Sequence, residues 1–342
     1  MKSRLNDRKY DHLRILADDP ETDRKKNYFD NLRLKNRALP QIDLDEVDPH
    51  TWFMNRKLSF PLLISCMTGG SGEELCRINR NLALAAEATG VAMGMGSQRV
   101  MLADPSAAES FMLRKYAPSA LLLGNLGAVQ LNNGVSVDDC RKLAELTGID
   151  ALCLHLNPLQ EAVQPEGDTN FGNLAERIAE VVAALDVPVI VKEVGAGIGK
   201  EDAKILIDAG VKYIDVAGTG GTSWSRIESY RATAGSSAGV LFQDWGIPTP
   251  DAVWQLGPMC DESSVKLISS GGIRSGIDMA KSMVLGASLC GIANPFIALA
   301  VQSPEAVIEH IENFKKQFIT AMFLLGKKDI PSLNDPKLIT VA

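Results

Sequence analysis

From Leu152 to Glu161 the chain reads Leu-Cys-Leu-His-Leu-Asn-Pro-Leu-Gln-Glu, an apolar run that ends in four polar side chains: His155, Asn157, Gln160 and Glu161. Burying polar groups costs free energy unless they are bonded, so this density at the end of an apolar segment points to chemistry. On a strand alternate residues share a face, which puts His155 and Asn157 together; Pro158 then ends the ladder and carries Gln160 and Glu161 over the strand's tip. The competing reading is a satisfied core histidine followed by a polar turn. Glu161 is the acid of this cluster. Beside a polyphosphate it needs a cation between, which makes Mg²⁺ the expected metal, an ion that takes a few carboxylate and phosphate oxygens plus waters. Asp168, farther along the same loop, reads as a solvated turn residue, the alternative being a partner that supports Glu161 from behind.

Two further groups have chemical potential. Lys192 ends the strand-like Val-Pro-Val-Ile-Val-Lys, where its charge demands an anion; the anionic edge of a reduced flavin suits it, and an ion pair with Glu193 or Asp215 is the alternative. Gly271-Gly-Ile-Arg-Ser-Gly276 and Ala293-Asn-Pro295 follow two late apolar runs. There, glycine backbone and a helix start suit a phosphate.

These groups need elements to hold them. Short apolar runs recur at Leu62 to Met67, Val91 to Gly96, Ala120 to Asn125, Ala151 to Asn157, Val187 to Glu193, Tyr213 to Gly218, Val265 to Gly272 and Leu289 to Asn294. Segments with helical apolar spacing lie between them, such as Glu73 to Thr89, Val137 to Thr147, Asn173 to Leu185, Lys200 to Ala209 and Gly276 to Leu285. The pattern predicts an α/β fold, a TIM (β/α)8 barrel occupying 61–342, in which the ends of the strands form the active face. A doubly wound open sheet is the alternative. Residues 1–60 are predicted to be an N-terminal helical extension with a turn region from Pro40 to Pro49. Ser303 to Leu324 reads as a last amphipathic helix, and Thr219 to Gly257 as a long connection serving as a lid.

The chain has 342 residues, 46% of them hydrophobic, enough for a large core. No apolar run reaches membrane-span length and the leading segment is charged, so a cytoplasmic protein without a membrane partner is expected. A net charge of −7 argues against nucleic acid, although Arg4 to Arg37 is locally basic. The six cysteines lack CxxC spacing and read as reduced core residues.

Taken together, Arg8-Lys9-x-x-His12, Met67-Thr-Gly-Gly70, Met95-Gly-Ser-Gln-Arg99, Gly124-Asn125, His155-Leu-Asn157-x-x-Gln160-Glu161, Val191-Lys192-Glu193-Val194-Gly195, Gly220-Gly-Thr-Ser-Trp224 and Asp244-Trp-Gly-Ile-Pro-Thr249 resemble the type 2 isopentenyl-diphosphate isomerases. These are FMN-dependent barrel enzymes. The resemblance implies that Met67, Thr68, Gly69, Ser97, Asn125, Lys192, Thr222, Gly272, Ile273, Arg274, Ala293 and Asn294 hold FMN. It implies that Arg8, Lys9, Ser97, Gln98, Arg99, His155, Asn157 and Gln160 face the substrate, with Glu161 on Mg²⁺. The implied reaction interconverts isopentenyl and dimethylallyl diphosphate. Reduced FMN would act as acid and base, positioned by His155, Gln160 and Lys192, with NAD(P)H serving only to reduce it. A homotetramer or homo-octamer is implied as well.

Two other classes compete. A 2-hydroxyacid oxidase on the same barrel needs a histidine base after a late strand, and no histidine falls between Gly218 and Gly291; a nucleotide dehydrogenase with a cysteine after the sixth strand is disfavoured because Gly220 to Trp224 lacks one. A non-catalytic flavin or phosphate sensor would need neither the Arg8-Lys9 pair nor Gln160-Glu161.

Overall fold

In the computed structural model, which describes residues 10–12, 14–16, 18–24, 26–67, 69–231 and 238–341, all eight apolar runs form strands. They are β1 (Leu62–Ile64), β2 (Ala92–Gly94), β3 (Leu122–Gly127), β4 (Ala151–His155), β5 (Val189–Lys192), β6 (Tyr213–Asp215), β7 (Lys266–Ser270) and β8 (Leu289–Ile292). Each pairs in parallel with its sequence neighbours, and β8 pairs with β1, closing a (β/α)8 barrel. The open-sheet alternative is thereby set aside.

Strand parity decides what the barrel contains. Leu63, Ala92, Leu123, Ala151, Cys153, Ile190, Ile268 and Leu289 point inward and form one apolar cluster. Their neighbours Leu62, Ile64, Leu122, Leu152, Leu154, Val189, Val191, Leu267 and Cys290 join a separate cluster with the helices outside. The inner cluster is closed from the amino end of the strands by Phe53 and Leu58 of an antiparallel hairpin, Thr51–Phe53 with Arg56–Leu58. Phe53 meets the ring of Tyr213 edge-on at 5.5 Å.

The principal outer helices are α1 (Glu73–Thr89), α2 (Val137–Thr147), α3 (Pro158–Val163), α4 (Leu174–Ala184), α5 (Lys200–Asp208), α6 (Trp224–Arg231), α7 (Thr249–Glu262), α8 (Gly276–Val284), α9 (Asn294–Gln302) and α10 (Pro304–Leu325). Their ends follow local rules. In α2 a capping box links Ser136 and Asp139, and Gly148 stops the helix in the left-handed conformation. Ser303 caps α10, which ends at Gly326 with φ +67°, where a side chain would also strike Arg37 and the Pro40 carbonyl. Bulk and backbone conformation both require glycine there.

Three expectations change. The strand predicted to Asn157 stops at His155, and Pro158 opens α3 at its first turn, where its missing N–H costs nothing. Among its described residues the connection after β6 is largely helical, holding α6, a short helix at Ala238–Leu241 and the start of α7. The described part of the leading segment is only partly helical: beside helical residues 10–12 and 14–16 it contains the hairpin and a strand, Leu32–Leu34, paired antiparallel with Ile339–Val341. Backbone pairing to the far end of the chain has no local sequence signature. No helix among the described residues is long and apolar enough to cross a membrane.

Phe53 is 3% exposed at the barrel's base, so Phe53→Ala should lower the unfolding free energy by about 3–5 kcal/mol, the range for emptying a buried aromatic site, as read from urea denaturation.

Candidate active site

One residue layer above the inner apolar cluster, the same strand parity turns Asn125, His155, Lys192, Asp215 and Ser270 inward. Register fixes their height: His155 lies opposite Lys192, and Lys192 opposite Asp215. A polar ring therefore sits on an apolar floor. Ser65, Asn125, His155, Lys192 and Ser270 line one cavity at this end of the barrel.

Within the ring every group is oriented by another. The His155 Nδ1–H donates to Asn125 Oδ1 at 2.8 Å, and the Asn125 N–H donates to Gln98 Oε1 at 2.9 Å. The Lys192 ammonium lies 3.9 Å from Asp215 and donates to the Glu193 carbonyl at 2.5 Å. Burial opposes the charge of Lys192, but the Asp215 carboxylate, acting together with Cys66, Cys153 and Glu193, holds the amine above its ordinary value. Asp215 in turn accepts from Ser270 Oγ at 2.6 Å. Of the two acids proposed for Lys192, Glu193 is otherwise engaged: its carboxylate accepts the backbone N–H groups of Val194, Gly195, Ala196 and Gly197.

On one side of the cavity stand Asn157, Gln160 and Glu161, presented by the first turn of α3. Asn157 Nδ2 donates to Glu161 at 2.8 Å and to Gln160 Oε1 at 3.2 Å, while its own buried Oδ1 has no partner. Glu161 also accepts from Gln164 and from the Asp168 N–H at 2.6 Å. Asp168 is more than a turn residue: it accepts from Arg99 at 2.8 Å and from Gln130 at 2.9 Å, fixing Arg99 beside Glu161's loop.

On the other side two glycine loops abut. A Cβ at Gly221 would lie 2.9 Å from the Gly272 nitrogen, and one at Gly272 2.7 Å from the Gly220 carbon, where φ is +75°. Only glycine allows that contact, and it leaves bare backbone facing the cavity beside Thr222, Ile273 and Arg274. The α8 amino terminus begins next to them at Gly276.

Of the residues singled out in the sequence, Met67, Ser97, Asn125, His155, Asn157, Gln160, Glu161, Lys192, Thr222, Gly272, Ile273, Arg274, Ala293 and Asn294 line this one cavity. Arg8, Lys9 and Thr68 lie outside the described residues. Gly69 is buried against Phe111 and the Ser97 carbonyl, off the lining. Gln98 is wholly buried in the barrel wall, its amide donating to Met95, Met101 and Thr147, so it reaches the cavity only through Asn125. Arg99 is likewise off the lining, held by Asp168.

Sequence reasoning missed Glu228 on α6. It is 0% exposed and accepts from His12 Nε2 at 3.0 Å, Gln160 Nε2 at 2.8 Å and Arg231 at 2.7 Å. Burial alone would push its carboxyl up, but these donors, His12 first among them, hold it down to about 2. Its partners lie up to 216 residues away, so no local pattern marks it; the sole hint is the charged Arg226, Glu228 and Arg231 after the Gly220-Gly221 turn. Among the described residues no group of three His, Cys, Asp or Glu side chains is placed to hold a metal, so a metal at Glu161 needs oxygens beyond such side chains.

Comparison with known proteins follows the same lines. Residues 156–340 match the family model described as FMN-dependent dehydrogenase. The chain is 53% identical over 332 residues to a protein of Paracoccus zeaxanthinifaciens named isopentenyl-diphosphate delta-isomerase, covering 96% of this chain and 95% of the relative. It is 48% identical over 341 residues to one of the same name from Hydrogenovibrio crunogenus, covering 98% and 99%. In fold it is similar to the flavin-binding domain of baker's yeast flavocytochrome b2, with TM-score 0.68 and 19% identity over 93% of this chain and 78% of that one. It is likewise similar to a mandelate oxidase, with TM-score 0.62 and 20% identity over 92% and 88%.

Because the folded value of Glu228 lies below its unfolded one, the group stabilises the native state above the ordinary glutamate range and ceases to do so as pH falls from about 4.5 toward 2. The stability gap between the wild type and Glu228→Gln, measured by thermal unfolding, should therefore be largest above pH 5 and shrink toward pH 2.

Proposed function

The chain belongs to the isopentenyl-diphosphate delta-isomerase family, and from that premise we propose that it converts isopentenyl diphosphate to dimethylallyl diphosphate at the mouth of the barrel. The observation that carries this reading is the division of one cavity into a bare-backbone anion wall with Arg274, a floor with Lys192, and a carboxylate-amide cluster at Asn157, Gln160 and Glu161. A hydroxyacid oxidase has no use for the third part.

The residues present fit FMN. Bare backbone at Gly221, Gly271 and Gly272 suits the close approach of a phosphate, and the buried, unpartnered Ser65 hydroxyl and the Lys192 ammonium suit the polar edge of a flavin ring. Met67, Thr68, Gly69, Ser97, Asn125, Lys192, Thr222, Gly272, Ile273, Arg274, Ala293 and Asn294 would hold it. When bound and reduced, FMN supplies ring nitrogens able to give and take a proton at carbon, and NAD(P)H is its reductant.

The fit to Mg²⁺ is narrower. Glu161 gives one carboxylate and Asn157 one unsatisfied oxygen, which suits an ion that takes its remaining oxygens from a diphosphate and water. Arg8, Lys9, Ser97 and Arg99 clamp the same diphosphate, binding remote from the reacting carbons that can be used to hold them in place. The reaction adds a proton at one carbon of an unactivated alkene and removes another from C2, so the hydrocarbon must be fixed out of water. His155, oriented by Asn125, and Gln160, held between Asn157 and Glu228, fix it; Gln98 acts behind them through the Asn125 amide. The same reading carries a cytoplasmic homotetramer or homo-octamer.

Proton NMR of isopentenyl diphosphate with the protein, Mg²⁺ and reduced FMN should show the dimethylallyl methyl signals. Flavin binding without product would sink the isomerase reading in favour of an oxidase or sensor. Glu161→Gln should retain FMN and lose about two orders of magnitude in turnover at limiting Mg²⁺, the several kcal/mol that a metal clamp contributes. Unchanged turnover would remove the metal from Glu161.

A further inference from the structure

Both walls of the glycine cradle are held from behind by one short stretch of the leading segment. The Ser223 N–H donates to the Thr22 carbonyl at 2.8 Å and the Arg24 N–H to the Gly221 carbonyl at 3.1 Å, pairing Asp23 antiparallel with Thr222. On the opposite wall the two N–H groups of Arg274 Nη2 are shared among the Arg24 carbonyl at 2.6 Å, Asp23 at 3.0 Å and the Gly220 carbonyl at 2.8 Å. The stretch is itself pinned by the Arg24 side chain, which is 6% exposed: Nη1 donates to the Gly195 carbonyl at 2.9 Å, after β5, and Nε donates to the Gln243 carbonyl in the connection after β6. Upstream, Asp19 accepts from Arg226 at 2.7 Å and from Tyr230 at 2.8 Å on α6, and His12 reaches Glu228. The strap thus spans the cavity: His12 and Leu16 line it beside the carboxylate-amide cluster, and Asp23 lines it beside the glycines.

We propose that Arg24 is a positioning residue that fastens this strap to the loops after β5 and β6, so that the anion-binding cradle and the strap over the substrate end order as one unit when FMN binds. The inference rests on the FMN assignment above. Removing the guanidinium frees the Thr22–Arg24 backbone, and with it the supports of Gly220 to Ser223 and of Arg274. Linkage requires the converse: whatever the strap contributes to FMN affinity, bound FMN returns as protection of the strap. Lysine can replace the charge but not the fork that reaches two carbonyls at once, so Arg24→Lys should recover only part.

FMN dissociation constants, measured by quenching of flavin fluorescence, should rise about tenfold for Arg24→Ala and by an intermediate factor for Arg24→Lys, within the range of ordinary allosteric coupling. Hydrogen exchange in peptides from 10–24 should slow when FMN is added to the wild type, and respond little in Arg24→Ala. An unchanged dissociation constant in a variant that melts like the wild type overturns the proposal, as does wild-type strap exchange indifferent to FMN. If Arg24→Ala does not fold, Arg24→Lys and the wild-type exchange decide. None of these readouts uses the isomerase reaction, so an intact coupling without product would refute the activity and leave this inference standing.

Discussion

Keeping the Lys192 ammonium charged inside a barrel is the constraint on which the rest of the site depends. Two ions removed from water are costly, and at 3.9 Å their mutual attraction repays that cost only if the remaining donors and acceptors are satisfied. The ring does this: Ser270 and the Ala217 N–H serve Asp215, and the Glu193 carbonyl serves Lys192. Such an arrangement is weak evidence for stability and better understood as a poised charge. An anion brought against Lys192 meets a cation whose desolvation has already been met by the fold.

Much of this was legible in the sequence because it rests on local rules. Near-continuous apolar strands, their spacing and the capping residues gave the barrel, and counting by twos along each strand would have assigned Asn125, His155, Lys192, Asp215 and Ser270 to one inward layer. Asn157 shows the limit of such counting. It reaches the cavity from the start of α3, because a proline that ends a strand equally well begins a helix. Gln98 shows another limit: its place in a motif says that the residue matters, while its burial in the wall says that it acts through the Asn125 backbone.

What was illegible is long-range. Glu228 belongs with His12, Asp19 with Arg226 and Arg274 with Asp23, pairs separated by more than 200 residues that no periodicity connects. They share a location, the seam where the leading segment crosses the barrel. The result is a polar chain running from Arg231 through Glu228, Gln160, Asn157 and Glu161 to Asp168 and Arg99, each member oriented by the next. Networks of this kind rigidify when complete and are costly when partly satisfied, so a change at either end is felt at Gln160 and Asn157.

The hairpin at the opposite pole has its own consequence. With Phe53 and Leu58 stopping the amino end, the described residues leave the polar ring at the bottom of a cavity that faces the carboxyl ends of the strands. Whatever rests on the polar ring goes in ahead of anything seated at the rim, and departs after it. Loading is therefore a queue: a deep occupant is retained by the shallow one above it, and exchange of the former waits on vacancy of the latter.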